Sequence, residues 1–361
     1  MSAVIIVILL TTFLCWLDSK NNNNKGLVIS AVIISIYGGL RFGYGSDYTS
    51  YLMVYDQLSS YSIKDDFSYI RTEIGWNLLN VLCHPIGFFG MIIITTTFET
   101  IVIYRFIGKY VDSKYHWFAN ICYTFNTSMM LVGFSMMRQF LAMCIVLLAV
   151  DFVIRKKWFF AIPIVAFAGL FHASAFVFIP VCFVGYLGEK KISESWMFFL
   201  SFVIILFYFL GGPILKLLLP DMLTLDAFED YGESYVKYGG EGVSMFSIAR
   251  IYGALLFIFL MTQFGKFSLN ERCISLIYSV GVLLGSLVSV NAMAGRINMY
   301  FSVVGIAALP FIIKYLKDAS VKVVFVSVYI IFLMYRFVVF FNTPIWESFL
   351  HYHTIFEQPW Q

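Results

Sequence analysis

Hydrophobic and polar positions along this chain do not alternate on the short periods of a soluble protein. Apolar residues continue for long runs on every face, as in "MFFLSFVIILFYFLGGPILKLLL" at 197–219, before a short polar stretch interrupts them. A membrane-spanning strand would alternate every second residue, and these runs do not. Segments that are apolar all round read as helices in lipid, because a helix satisfies its own backbone groups where no water can. The pattern predicts helices at 3–17, 27–41, 87–107, 117–135, 137–154, 158–172, 174–187, 196–218, 246–264, 273–291, 297–316 and 322–341. That makes about twelve spans of an all-α polytopic bundle, judged against the roughly 20 helical residues that a bilayer core requires. The stretch "EIGWNLLNVLCHPIG" (73–87) is apolar but short, and predicts an interfacial or re-entrant helix.

Composition agrees with that pattern. Of 361 residues, 60% are hydrophobic and only 12% are charged, outside the range of soluble domains. The whole chain, 1–361, reads as a single integral membrane domain with two larger outer loops at 42–86 and 219–245, the second acidic. Lysine and arginine orient it, since cytoplasmic loops hold the excess. With 18–26 cytoplasmic, fifteen of the 24 basic residues fall on that side. The other nine, Arg41, Lys64, Arg71, Arg138, Lys216, Lys237, Arg250, Arg296 and Arg336, stay at the outer face or within the membrane. A multi-pass protein of a bacterial inner membrane, with its site facing the exterior, is the expectation. The six cysteines are scattered without C-x-x-C spacing, so neither a disulfide nor a cysteine metal site is expected.

Five of those nine carry the chemical argument. Arg41, Arg138, Arg250 and Arg296 are predicted at external helix ends, and Arg336 inside the last span. Ionisable groups at such depth are costly and usually face a polar cavity. A guanidinium fork suits phosphate oxygens, so several on one leaflet point to a lipid phosphate or pyrophosphate. Each taken singly is also explained by snorkelling or pairing with a carboxylate. Asp47 is either a structural partner of Arg41 or a carboxylate held for chemistry. His172 is either a packing histidine or a general base toward a sugar hydroxyl. Tyr44, Tyr48 and Tyr51 are candidates to stack on glycan, or belt residues at the interface. Glu99, within an apolar helix, reads as a partner for a buried arginine or for a polar neighbour, or as a carboxylate with a transport role. His84 and His116 suggest interfacial placement, and the His351–His353 pair is a weak metal-like signal. Without a D-x-D pair a metal-independent site is favoured, although the adjacent Asp65 and Asp66 leave a cation open. No metal, no other cofactor and no nucleic acid are expected.

Four segments then resemble a known family. "GGLRFGYGSDYTSY" (38–51) resembles the "R-[YF]-G-x-G-x-D-Y-x-x-Y" segment of the EpsG family, related in role to the Wzy polysaccharide polymerases. "SMMRQFLAMCIVLLAV" (135–150) is similar to its "R-Q-x-[LI]-A" helix start, "LFHASAFVFIP" (170–180) to its "F-H-x-S-A" segment, and "GRINMYF" (295–301) to a later arginine-bearing stretch. The resemblance implies a glycosyltransferase that polymerises undecaprenyl-pyrophosphate-linked oligosaccharide repeats at the periplasmic face, for capsule, exopolysaccharide or O-antigen. The growing glycan passes to the non-reducing end of a new repeat. Matching positions are Arg41, Asp47, Tyr48, Arg138, Gln139, His172, Ser174 and Arg296; Arg250 and Arg336 join them by location only. On this reading Arg41, Arg138 and Arg296, with Gln139, hold the donor pyrophosphate. His172 is the first choice of base and Asp47 the second, and Tyr44, Tyr48, Tyr51 and Ser174 meet glycan. A flippase and a chain-length regulator are the implied partners, beside membrane lipids. A transporter of the same lipid-linked oligosaccharide is the main rival, since it would grip pyrophosphate with the same arginines; an acyltransferase and a structural partner of an assembly complex follow.

Overall fold

In the computed structural model, the described residues are 1–189, 260–285 and 292–357, with isolated helical positions at 199, 202, 203, 206, 253 and 256–258. The predicted helix at 196–218, the acidic loop 219–245, Arg250 and most of 246–264 lie outside them. The chain is a bundle of apolar helices. Helices α1 (Ser2–Asn21) and α2 (Lys25–Gly39) form a hairpin, and a surface segment follows that carries α3 (Tyr48–Gln57) and α4 (Ile74–Leu82). Then come α5 (Gly87–Tyr110), α6 (His116–Thr124), α7 (Met130–Ser135), α8 (Met137–Ile154), α9 (Trp158–Gly169) and α10 (Val184–Gly188), and later α11 (Leu269–Gly285), α12 (Ala292–Ser302), α13 (Gly305–Tyr315) and α14 (Ala319–Phe341).

Among the described residues four helices are long and apolar enough to cross a membrane: Ser2–Asn21, His84–Tyr110, Met137–Ile154 and Ala319–Phe341. The pair Gly295–Ser302 and Gly305–Tyr315, bent by 52°, passes the same test only when taken together, as a broken span or a re-entrant loop. Of the other expected spans, 27–41 and 158–172 are shorter apolar helices (Lys25–Gly39 and Trp158–Gly169), and 196–218 and most of 246–264 lie outside the described residues. The expected helix at 117–135 is interrupted between Thr124 and Met130, where the Asn126 side chain accepts from Ser128 N (3.2 Å) and competes with the helical ladder. The run at 174–187 begins as a tighter 3-10 helix (Ala173–Phe183) around Pro180, which cannot donate to an α ladder. Within 73–87, helix α4 buries Trp76, Asn77, Asn80 and Val81 and leaves Ile74 and Leu82 exposed.

Burial sets the layering. Helix α8 is the innermost of the long helices, with 78% of its apolar window buried against 28% for α1 and α14. It packs on α5 and α9, while α1 packs on α2 and α6. The two ends of the bundle differ in chemistry. At one end, buried Asp18 accepts from Gly26 N (2.7 Å) and Leu27 N (3.0 Å) and lies 3.1 Å from His116 Nδ1. His116 is therefore a buried tie between α1, α2 and α6, not an interfacial residue. Lys109 pairs with Asp151 at the same end, and Lys314 reaches Glu271 (3.0 Å) and Asp112 (3.1 Å). The opposite end holds the only strands among the described residues, β1 (Arg41–Phe42) and β2 (His353–Thr354), paired antiparallel. His353 sits there with its Nδ1 2.9 Å from Glu357, a local contact and not a metal pair.

Candidate active site

The end with the strands gathers most of the candidate residues. Gly45, at φ +135°, turns the chain so closely past α7 that a Cβ there would meet Ser135 Cα at 3.2 Å, a position only glycine fits. The turn carries Ser46 and Asp47 against Ser135: the two serine hydroxyls lie 2.7 Å apart and Asp47 N donates to Ser135 Oγ at 3.2 Å. Burial pushes the Asp47 carboxyl above its ordinary value, against the Ser46 hydrogen bond and the charges of Arg296 and Arg138. Both arginines are thus close enough to act on it.

Adjacent positions at the start of α8 point two ways. Arg138 pairs with Glu73, at the head of α4, with side chains 21% and 23% exposed. Gln139, almost fully buried, donates to the Arg296 carbonyl at 2.7 Å. One helix start therefore fixes both the Arg138 side chain and the backbone that bears Arg296. Gln139 spends its donor on that carbonyl, so it braces α12 instead of reaching a ligand, a correction to its expected role.

His172 stands in the turn between α9 and the 3-10 segment. Its Nδ1 lies 2.6 Å from Ser174 Oγ, and Ser174 donates to Tyr300 OH at 3.2 Å. A hydroxyl has one proton to give, so with that proton on Tyr300 it is Nδ1–H that donates to Ser174, which leaves the lone pair on Nε2. Burial lowers the His172 pKa to about 4; Glu73 opposes that shift, and Arg138 and Arg296 add to it. The ring is therefore neutral at pH 7. Ser174 orients this ring and does not project toward a glycan.

Beside this cluster a cavity of about 470 Å³ opens between α12, α13 and α14. Its polar lining includes Ser46, Asp47, Asn126, Ser128, Arg296 and Arg336, and its remaining wall is mainly apolar, with Leu309, Ile306, Val282 and Leu333. Arg336 donates to Ser128 Oγ at 2.9 Å. A charged head and a long apolar tail both find a matching surface there.

Other candidates lie elsewhere. Arg41 is 2% exposed, donates to Thr96 Oγ1 (2.7 Å) and the Gly38 carbonyl, stacks on the Phe134 ring, and supplies the charge opposite buried Glu99. It does not line the cavity, and its geometry is that of a core brace. Asp47 is consequently not its partner. Arg41→Met is expected to destabilise the fold by about 1–3 kcal/mol, because buried Thr96 Oγ1 and the Gly38 carbonyl lose their guanidinium partner; a thermal melt of the purified protein checks it. Tyr44 (1% exposed), Tyr48 (3%) and Tyr51 (8%) are core residues. Tyr44 accepts from Tyr37 OH at 2.9 Å, and Tyr51 packs on Trp76 and against Arg138. None presents a ring to the cavity, because the β1 turn folds this aromatic cluster inward. Asp65 and Asp66 accept from Ser62 N (2.6 Å) and Ser68 N (2.9 Å), capping their own loop. The residue that sequence reasoning missed is Glu73; the only signal for it was an acid heading a short apolar segment.

No curated protein and no solved structure matches this chain. The model of the EpsG family matches residues 3–354, essentially the whole chain. With its helical membrane architecture and its paired arginine and histidine segments, the chain belongs to the EpsG family of Wzy-like polysaccharide polymerases.

Proposed function

We propose that this protein joins oligosaccharide repeat units carried on undecaprenyl pyrophosphate, at the outer face of a bacterial inner membrane, without a metal ion. The observation that supports this reading most is the cavity lined by Asp47, Arg296 and Arg336 above an apolar wall, with Gln139 tying the Arg296 backbone to the helix start that carries Arg138. In the reaction the acceptor hydroxyl attacks the anomeric carbon of the donor glycan. A new glycosidic C–O bond forms, the bond from that carbon to the pyrophosphate oxygen breaks, and its electrons leave with the lipid pyrophosphate. Arg138 and Arg296 stabilise the charge that grows on that oxygen, and Arg336 extends the cationic wall. The acceptor proton passes to Nε2 of His172, whose neutral form is populated at every pH above about 4. The apolar wall suits the polyprenyl chain. Excess basic residues at the opposite end of the bundle favour an exterior site. A flippase that delivers repeats and a regulator of chain length are the fitting partners, and capsule, exopolysaccharide or O-antigen the fitting product.

One observation favours a transporter instead: the 52° break between α12 and α13 beside the cavity, since transporters place broken helices around their substrate. The deciding experiment incubates purified protein with a synthetic undecaprenyl-pyrophosphate repeat unit, with and without EDTA. A ladder of products unaffected by the chelator is expected. Lipid that changes leaflet with no new bond would mean a transporter, and a ladder abolished by EDTA and restored by a divalent cation would end the metal-independent mechanism.

A further inference from the structure

We infer that Glu73 and the head of α4 form a positioning clamp that keeps the donor-binding arginine, Arg138, in register with the turn that carries His172. This deepens, and rests on, the polymerase reading above. Two separate links tie α4 to the histidine turn. Gly75 N donates to the Leu170 carbonyl at 2.8 Å, and Ala173 N donates to Glu73 Oε1 at 3.1 Å. The second oxygen of the same carboxylate, Oε2, accepts from Arg138 Nη1. One carboxylate thus holds a guanidinium with one oxygen and the backbone next to the histidine with the other.

The approach of the two backbones is close enough to exclude any side chain at position 75. A Cβ on Gly75 would meet the Leu170 oxygen at 2.7 Å and Leu170 Cβ at 2.9 Å. Below, the clamp is anchored by Asn77, whose side-chain nitrogen donates to the Thr72 carbonyl at 3.0 Å. The Glu73–Arg138 pair is also partly open to solvent, about one-fifth exposed on each side, so an arriving pyrophosphate competes with the carboxylate for Arg138. Glu73 therefore has two effects that a simple brace lacks: it weakens resting anion binding at Arg138, and its negative charge favours the protonated form of His172 as the ring takes up the acceptor proton. Glu73 is a positioning residue here, acting through Arg138 and His172 and not on the substrate.

The test uses the full chain in lipid nanodiscs, as wild type, Glu73→Gln, Glu73→Asp and Gly75→Ala. With the synthetic lipid-linked repeat, Glu73→Gln is expected to lose about 10–100-fold in kcat as the reacting groups drift by a fraction of an ångström. Its KM should stay or fall, and the acid limb of its pH–rate profile should move to lower pH. Glu73→Asp keeps the charge and should leave the acid limb in place while losing part of kcat, and Gly75→Ala should lower kcat with no shift of the limb. Inorganic pyrophosphate alone should bind Glu73→Gln several-fold more tightly than wild type by calorimetry. Wild-type kcat and an unmoved acid limb in Glu73→Gln would overturn the inference. So would losses that track only a fall in folded protein, or pyrophosphate binding no tighter than wild type. A wild type that makes no ladder sinks the polymerase reading, and the pyrophosphate titration still decides the clamp.

Discussion

Arg138→Ala is expected to abolish long polymer while the protein remains inserted and abundant. Losing one preorganised donor to a developing oxyanion typically lowers turnover by about 10²–10³-fold, and polymer length compounds such a loss over every cycle. Arg138 also holds Glu73, so the alanine variant leaves that carboxylate facing the donor phosphates and adds repulsion to the lost attraction. Because the pair is one-fifth exposed, water compensates for the stranded carboxylate and the fold should hold. Arg138→Lys should recover only part of the rate, since an ammonium is a point charge without the planar fork. The check is chain length on a gel for reconstituted protein, beside an immunoblot of membrane content. Polymer of normal length from Arg138→Ala would remove the arginine from the mechanism.

His172→Gln carries the second large effect. A positioned base is worth about 10²–10⁴-fold, and glutamine keeps size and polarity without accepting a proton. The pH dependence follows from the lowered pKa: the active neutral ring persists across the neutral range, and activity falls only as pH drops through about 4. That fall should vanish in His172→Gln. Asp47 is the competing candidate, a carboxylate pushed above its ordinary value and within reach of both arginines. Asp47→Asn should retain most activity if the histidine is the base. If Asp47→Asn is inert and His172→Gln turns over normally, the roles are reversed.

Separating Arg41 from the other arginines has a practical consequence. Both classes of variant would abolish polymer in a cell, one by loss of folded protein and the other by loss of chemistry. Only paired measurements of abundance and turnover distinguish them. The same caution applies to Gln139, whose buried amide positions Arg296 through a main-chain carbonyl. Its replacement by leucine would disturb the site without any contact to substrate.

The sequence by itself determined the class of fold and the family to which the chain belongs. Those properties are additive along the chain: apolar runs must be helical in lipid, and an arginine beyond a helix end is visible in any register. The broken helices were less legible, because Asn126 and Pro180 look like tolerated polar or proline residues until the neighbouring packing decides whether the ladder can continue. What only the tertiary structure decided was which charges meet. Arg41 and Arg138 occupy similar places in similar motifs, yet one is sealed under Phe134 and the other is partly exposed and pairs with Glu73. Glu73 and Arg138 lie 65 positions apart, and Gln139 reaches the Arg296 carbonyl across 157. Pairings of that range depend on how helices dock, and docking is set by the shape of the packed core, which no local window of sequence contains.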